Sequence, residues 1–299
     1  MTSIELGATL YVPALNPRAV ALARGANPDL RSMVLCLEDA IREDQASVAL
    51  RMLSLVLQQL LVNGPKLHLY IRPRDIRMLR LILQMPGIET VEGFVLPKVT
   101  TETLPQWLVT LAQSQHRFMP TIEGEEAFCL SALARVCDQL RSSIDRVTAV
   151  RIGGTDILGL LGLRRSRVRT AYDGLLGKVI RDIAGTFIPN GFQVAAPVFE
   201  HYSEIEVLRQ EVEQDVEHGL LTKTAIHPSQ VKTVQDLYRP SVAEFTDARN
   251  ILDHAAPGVF GASGSMCEPA THSGWAKSIV RRASTYGVAS EHLLATAVA

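Results

Sequence analysis

The chain has 299 residues, room for one large barrel with a small addition or for two medium domains. Lys plus Arg number 30 against 31 Asp plus Glu, which leaves no global electrostatic case for nucleic acid or an anionic membrane as a partner. Apolar residues make up 47%, normal for a packed domain and too many for disorder.

In chain order, residues 7–13 read as a short buried strand stopped by proline, and Asn16-Pro17-Arg18 opens a helix to about Arg24. A second strand (32–37) ends at Glu38-Asp39-Ala40, and helical periodicity follows over 46–62, closed by Asn63-Gly64-Pro65. A third strand (66–71) ends in Arg72-Pro73-Arg74, and 75–84 is helical. The fourth strand spans 93–98, and the next helix 103–114. An apolar run from Met119 ends in Pro120-Thr121-Ile122-Glu123 and is the fifth strand; 125–140 is helix-length; 147–152 is the sixth, ending in Gly153-Gly154-Thr155-Asp156. A long helical stretch (175–186) precedes the seventh strand (191–198), and 222–228 is the eighth, with a helix starting at Ser229. From about Ser241 the pattern changes to a helix (242–254), a glycine-rich turn (257–264) and a last helix-like region from Glu268-Pro269 to Tyr286.

Eight short apolar strands alternating with helices favour a closed (β/α)8 TIM barrel of the α/β class over an open doubly wound sheet. The barrel is expected over 1–240 and a C-terminal helical extension over 241–299. That extension is expected to be too small for a core of its own and to pack on a barrel, its own or a neighbour's. No Gly-x-Gly-x-x-Gly follows the first strand, which argues against dinucleotide binding. Cys36, Cys129, Cys137 and Cys267 show no zinc spacing and read as reduced thiols. Met1-Thr2-Ser3-Ile4-Glu5 has neither the charged start nor the apolar core of a signal peptide, and no apolar run is long enough to span a bilayer. A cytoplasmic protein is expected.

The fifth strand, the 125–140 segment and the sixth strand form a βαβ unit, so the two strands run parallel with their ends on one side. Glu123 and Asp156 then stand side by side, and two such carboxylates repel unless a cation lies between them. Mg²⁺, which needs only one or two protein carboxylates and otherwise takes water and substrate, suits the pair. Each acid also has an ordinary reading as a helix cap. Glycines at 153 and 154 let backbone approach a ligand closely, which places Gly154 and Thr155 among substrate contacts. The remaining strand ends carry Glu38, Asp39, Arg72, Lys98 and His227, and in such a barrel these face one mouth. Arg72 either pairs with Glu38 and Asp39 or offers its planar fork to a substrate carboxylate. Lys98 reads as a pocket wall, because a Schiff-base lysine normally dispenses with metal. His227 reads equally well as a structural residue.

Leu10-Tyr11-Val12-Pro13, Leu37-Glu38-Asp39-Ala40, Ile71-Arg72, Leu96-Pro97-Lys98, Ile122-Glu123, Gly153-Gly154-Thr155-Asp156 and Ala225-Ile226-His227-Pro228-Ser229-Gln230 together resemble the citrate lyase beta subunit family, within the wider aldolase and malyl-CoA lyase superfamily. The resemblance runs in order over most of the chain. It implies Mg²⁺-dependent cleavage or formation of a carbon–carbon bond between a 2-oxo acid and an enolate, often from an acyl-CoA. It further implies Mg²⁺ at Glu123 and Asp156, support of the metal's waters by Glu38 and Asp39, and a hold on the oxo acid by Arg72. The family's C-terminal proton-transfer acid matches Glu268 in Gly264-Ser265-Met266-Cys267-Glu268-Pro269, where lysine is replaced by Ser265 and the spacing to proline differs. After the seventh strand the usual Asp is missing, the chain reading Ala195-Ala196-Pro197-Val198-Phe199-Glu200. The basic run Arg164-Arg165-Ser166-Arg167-Val168-Arg169 is either a solvated loop or a contact for the phosphates of a CoA substrate, with Arg164 foremost. A homo-oligomer, a trimer or its multiple, is expected by analogy. Two other readings stand beside the lyase: an aldolase of free or phosphate-bearing oxo acids without CoA, and a barrel that has lost catalysis and serves as a binding subunit.

Overall fold

Eight short apolar runs pair as parallel strands in the computed structural model, which describes residues 3–289. They are β1 (Ala8–Pro13), β2 (Ser32–Cys36), β3 (His68–Arg72), β4 (Gly93–Leu96), β5 (Arg117–Ile122), β6 (Val150–Ile152), β7 (Val194–Ala195) and β8 (Lys223–Ala225). Neighbours follow the order β7-β6-β5-β4-β3-β2-β1-β8, and a parallel bridge between Ala196 and Lys223 joins the two ends of that row. The amide of Ala196 donates to Thr222 O at 2.8 Å and its carbonyl accepts from Thr224 N at 3.2 Å, so backbone hydrogen bonds bring the row round on itself. The (β/α)8 barrel expected from the alternation is the fold observed.

The strands are apolar along their whole length because both faces are covered, as in parallel sheets generally. Inside, Leu6, Val34, Tyr70, Val95, Met119, Ala149 and Ala195 form a packed layer with no exposure. Outside, helices lay an apolar stripe on the strands. The helix Ala46–Leu60 buries Ala49, Leu53, Val56, Leu57 and Leu60, a spacing of three and four that keeps one face on the barrel. Each Leu or Val so taken from water contributes about 1.5–3 kcal/mol.

Strand ends differ from the sequence expectation where proline intervenes. β4 stops at Leu96 and β7 at Ala195, just ahead of Pro97 and Pro197, which have no amide to donate to a ladder. The expected 125–140 helix is broken. Glu125–Phe128 is a 3-10 turn, Cys129 is extended, and the α-helix proper is Leu130–Leu140. Between β7 and β8 lies a further helix, Ile205–Glu217, beyond those expected from the sequence.

The described residues divide at Lys232–Thr233 into two compact units. Within the second, helices Val242–Ile251 and Pro269–Tyr286 pack through Ala248, Ile251, Cys267, Ala276 and Ile279, so the segment has an apolar core of its own, contrary to the expectation, because the two helices and the strand end at Cys267 close on one another. The glycine-rich stretch is an antiparallel hairpin rather than a simple turn. β9 (Phe260–Ala262) and β10 (Ser265–Cys267) are joined by Ser263-Gly264, both at positive φ (48° and 76°), the backbone that a two-residue hairpin loop demands. The four cysteines are free thiols, and no helix among the described residues is long and apolar enough to cross a membrane.

Candidate active site

A cavity of about 860 Å³ opens at the carboxyl ends of the barrel strands, the end where (β/α)8 barrels carry their sites. Five of the charged residues expected there form one network. Arg72, the last residue of β3, lies with Nη2 2.9 Å from Glu38 Oε2, 3.1 Å from Glu123 Oε1 and 3.4 Å from Asp39 Oδ2. Lys98 Nζ lies 3.0 Å from Glu38 Oε1 and 3.9 Å from Asp39 Oδ1. The backbone amide of Lys98 donates to Glu123 Oε1 at 2.7 Å. Glu38 and Glu123 are 2% and 3% exposed, whereas Asp39 and Lys98 are open to solvent.

Burial and neighbours set the protonation of these acids. Glu123 is pushed up to about 7 by burial, relieved in part by Arg72 and raised further by the charge of Asp156. Asp39 is raised to about 6 by burial and by its hydrogen bond and like charge with Glu38. Glu38 falls below its ordinary value: burial opposes ionisation, but hydrogen bonds from Asp39 and Lys98 and the charge of Arg72 prevail. Lys98 is raised, chiefly by its hydrogen bond to Glu38. The Cys36 thiol at the end of β2 is pushed up by burial and stays protonated.

Asp156 sits in the first turn of a short helix, Gly154–Leu160, that starts directly after β6, and its carboxylate makes no hydrogen bond or ion pair among the described residues. Gly153 explains how the two acids fit. A Cβ there would stand 2.3 Å from Glu123 Cβ and 2.4 Å from Glu123 Oε2, so only glycine leaves room for that carboxylate. Among the described residues no three His, Cys, Asp or Glu side chains gather as a metal cluster. Magnesium needs no such cluster. Two carboxylates lining one cavity, one of them kept from ionising chiefly by burial, are a donor set that a hard divalent ion fits.

Gly154, Thr155 and Asp156 line the same cavity as Arg72, Lys98 and Glu123. Gly154 packs so closely on Pro197 that a Cβ would lie 2.8 Å from the ring. Arg164 is exposed, with Nε 3.2 Å from Glu200 Oε1. The rest of its basic run is largely spoken for. Arg165 is buried against Glu211, and Arg167 lies 3.3 Å from Glu204. His227 is exposed, stacked on Tyr202 at 4.6 Å with its Nδ1 2.7 Å from Ser229 Oγ. Glu268 belongs to the second unit, where it precedes the helix Pro269–Tyr286 and accepts from Thr271 Oγ1 at 2.9 Å.

Arg151, Tyr11, Thr121 and Thr224 also line the cavity, and the strand pattern alone does not mark them as site residues. Arg151 is fully buried inside the barrel, with Nη2 2.6 Å from Thr224 Oγ1. Its signal was a lone arginine inside the apolar run of β6.

Among curated proteins, a (3S)-malyl-CoA thioesterase of Cereibacter sphaeroides is 26% identical over 246 residues, covering 79% of this chain and 78% of that protein. Two solved structures share the fold. One is the CitE protein of Mycobacterium tuberculosis in complex with magnesium, acetoacetate and coenzyme A (TM-score 0.67, 21% identity, 93% of this chain and 98% of that one). The other is a citrate lyase of Burkholderia xenovorans LB400 (TM-score 0.75, 18% identity, 99% and 97%). The resemblance to citrate lyase beta-like proteins read from the motifs therefore stands. The model of the C–C bond lyases of TIM-barrel fold matches residues 1–288, and the chain belongs to that family.

Proposed function

We propose that the chain is a Mg²⁺-dependent carbon–carbon bond lyase or aldolase. On this reading it cleaves or forms a small 2-hydroxy acid, as the free acid or as a CoA thioester, through a 2-oxo acid and an enolate. The observation that carries the reading is the placement of Glu123: a buried carboxylate, held by Arg72 and the Lys98 amide, that lines the cavity at the mouth of the barrel together with Asp156. Such a pair binds a divalent cation more readily than it bears its own charge. The relative named for malyl-CoA and the neighbour holding magnesium, acetoacetate and coenzyme A support the same chemistry.

A divalent ion at Glu123 and Asp156 would supply a Lewis acid for a carbonyl or hydroxyl oxygen and positive charge beside a developing enolate. Arg72 fixes Glu38 and Glu123 in place and lends its own charge to the oxygen of the oxo acid. Glu38 and Asp39 hold water at the edge of the site, and Asp39, titrating near 6, exchanges protons with it. Lys98, Gly154 and Thr155 wall the substrate space. Glu268, from this or a neighbouring chain, is the candidate base for the hydroxyl proton in the cleavage direction. Arg164, whose exposed pair with Glu200 is worth at most about 1 kcal/mol, is free to exchange it for a CoA phosphate.

A second reading rests on the thioesterase name of the curated relative: hydrolysis of the thioester without carbon–carbon cleavage. Incubation with Mg²⁺ and (3S)-malyl-CoA separates the two. Glyoxylate with acetyl-CoA is the expected product pair, and malate with free CoA would favour the hydrolase. Metal binding without turnover of any thioester or hydroxy acid would instead favour a barrel that has lost catalysis.

A further inference from the structure

The charged groups of the cavity divide by strand. Glu38, Asp39, Arg72, Lys98 and Glu123 stand at the ends of β2 to β5 and are bonded to one another. Arg151 on β6 reaches instead past the small Ala195 of β7 towards β8 and β1. Its Nη2 donates to Thr224 Oγ1 at 2.6 Å, Nη1 lies 3.4 Å from Met119 Sδ, and the guanidinium carbon sits 5.3 Å from the centre of the Tyr11 ring.

Those partners are a hydroxyl, a thioether and an aromatic face, and none carries a negative charge. Tyr11 stays neutral, because burial raises its phenol above the ordinary value against the pull of Arg151. Among the described residues no carboxylate pairs with Arg151, although the residue is 2% exposed. Buried charges are otherwise paired, because desolvation without a counter-ion is costly. The acids of the mouth are already balanced without it: four carboxylates face Arg72, Lys98 and, on the reading above, one divalent ion. Thr121 lies beside Arg151 in the β5–β6 register, lines the same cavity, and has a buried hydroxyl with no hydrogen-bond partner among the described residues.

We propose that Arg151 is the residue that holds the carboxylate of the substrate, with the Thr121 and Thr224 hydroxyls completing a subsite for that one anionic group. The inference rests on the small oxo-acid reading given above and moves the carboxylate clamp from Arg72 to Arg151. Arg72 divides one terminal nitrogen among three acids, whereas the Arg151 fork has no acid to serve. A planar guanidinium that is itself buried makes strong charge-assisted bonds to a carboxylate and discriminates against a neutral group in the same place. The subsite therefore selects acids over their esters.

The test is calorimetric titration of the full chain at saturating Mg²⁺ with pyruvate, glyoxylate, oxaloacetate and the uncharged methyl pyruvate. Arg151→Met and Thr224→Val are compared with wild type, and Mg²⁺ affinity is measured in parallel. Wild type is expected to prefer pyruvate to methyl pyruvate. Arg151→Met is expected to bind the acids about a hundredfold more weakly, to lose the preference over the ester, and to keep its Mg²⁺ affinity and melting temperature. Thr224→Val, which leaves the charge in place, is expected to weaken the acids about tenfold. Acid affinity and preference unchanged in Arg151→Met, or acid affinity unchanged in Thr224→Val, would overturn the inference and leave the lyase reading standing. A wild type that binds Mg²⁺ but none of the three acids would overturn the oxo-acid reading and this inference with it.

Discussion

The backbone amide of Lys98 donates to Glu123 Oε1 at 2.7 Å, and Lys98 is one of two non-glycine residues with positive φ among those described, at 49°. The left-handed turn after Pro97 swings that amide toward β5 and fixes the carboxylate from the backbone side, while Arg72 fixes it from the side-chain side. Backbone in this region is tolerated by few residues other than glycine, and it persists where surrounding structure enforces it.

Substitution at 98 separates conformation from charge. Lys98→Gly relieves the backbone and loses only the Nζ contacts of an exposed side chain with Glu38 and Asp39, so the melting temperature is expected to change little. Lys98→Val places a β-branched side chain at positive φ and is expected to cost about 1–2 kcal/mol and to loosen Glu123. Denaturant unfolding of both variants checks this, and equal stability would contradict it.

Gly153→Ala tests the packing of the acid pair. The added methyl meets Glu123 at 2.3 Å, and φ at 153 is −83°, so the cost is steric and not conformational. Glu123 must move, with a loss of about 1–3 kcal/mol in stability and at least about a tenfold loss in Mg²⁺ affinity. Titration calorimetry reads the second effect; wild-type affinity would mean that Glu123 is not a ligand.

The titration of Glu123 gives metal binding a pH dependence with a definite sign. In the folded chain its carboxyl keeps a proton up to about 7, against an ordinary 4.5. Between these values the folded state holds a proton that the unfolded chain has released. With divalent ions chelated, this group's contribution to stability therefore falls as pH rises from 4.5 toward 7. Mg²⁺ requires the ionised form, so its affinity is expected to rise about tenfold per pH unit below neutrality and to level off above. Proton release, measured in buffers of different ionisation enthalpy, checks the coupling, and a flat affinity from pH 5.5 to 8 would refute it.

Outside the cavity, Lys223 of β8 is buried between two acids of the helix behind it, with Nζ 2.9 Å from Glu211 and 2.8 Å from Asp215. Glu211 also receives Arg165 and the amide of Ala171. Removing its charge leaves two buried cations short of a partner, so Glu211→Gln is expected to destabilise the fold by about 3–5 kcal/mol. Asp215 is raised to about 6 by burial, so Asp215→Asn is expected to cost less. Thermal unfolding orders the two variants.

The barrel and the acid pair were legible because both rest on local pattern. Parallel strands covered on both faces must be apolar throughout, and the residues that end them stand at the mouth. What escaped depends on partners far away in the chain. Arg151 and Lys223 look like interruptions of apolar strands until Thr224, Tyr11, Glu211 and Asp215 come to meet them. The break at Cys129 and the hairpin at Ser263-Gly264 turn on individual backbone angles, which hydrophobic periodicity does not report. The basic run 164–169 was visible as charge, but its acids lie in segments whose placement only the fold reveals.

The most direct test of the account is Mg²⁺ binding by calorimetry, with and without oxaloacetate, pyruvate and glyoxylate, for wild type and Asp156→Ala. The account predicts that an oxo acid binds only when the metal is present and that Asp156→Ala abolishes both. Oxo-acid binding that is indifferent to metal, or Mg²⁺ binding untouched by Asp156→Ala, would contradict it.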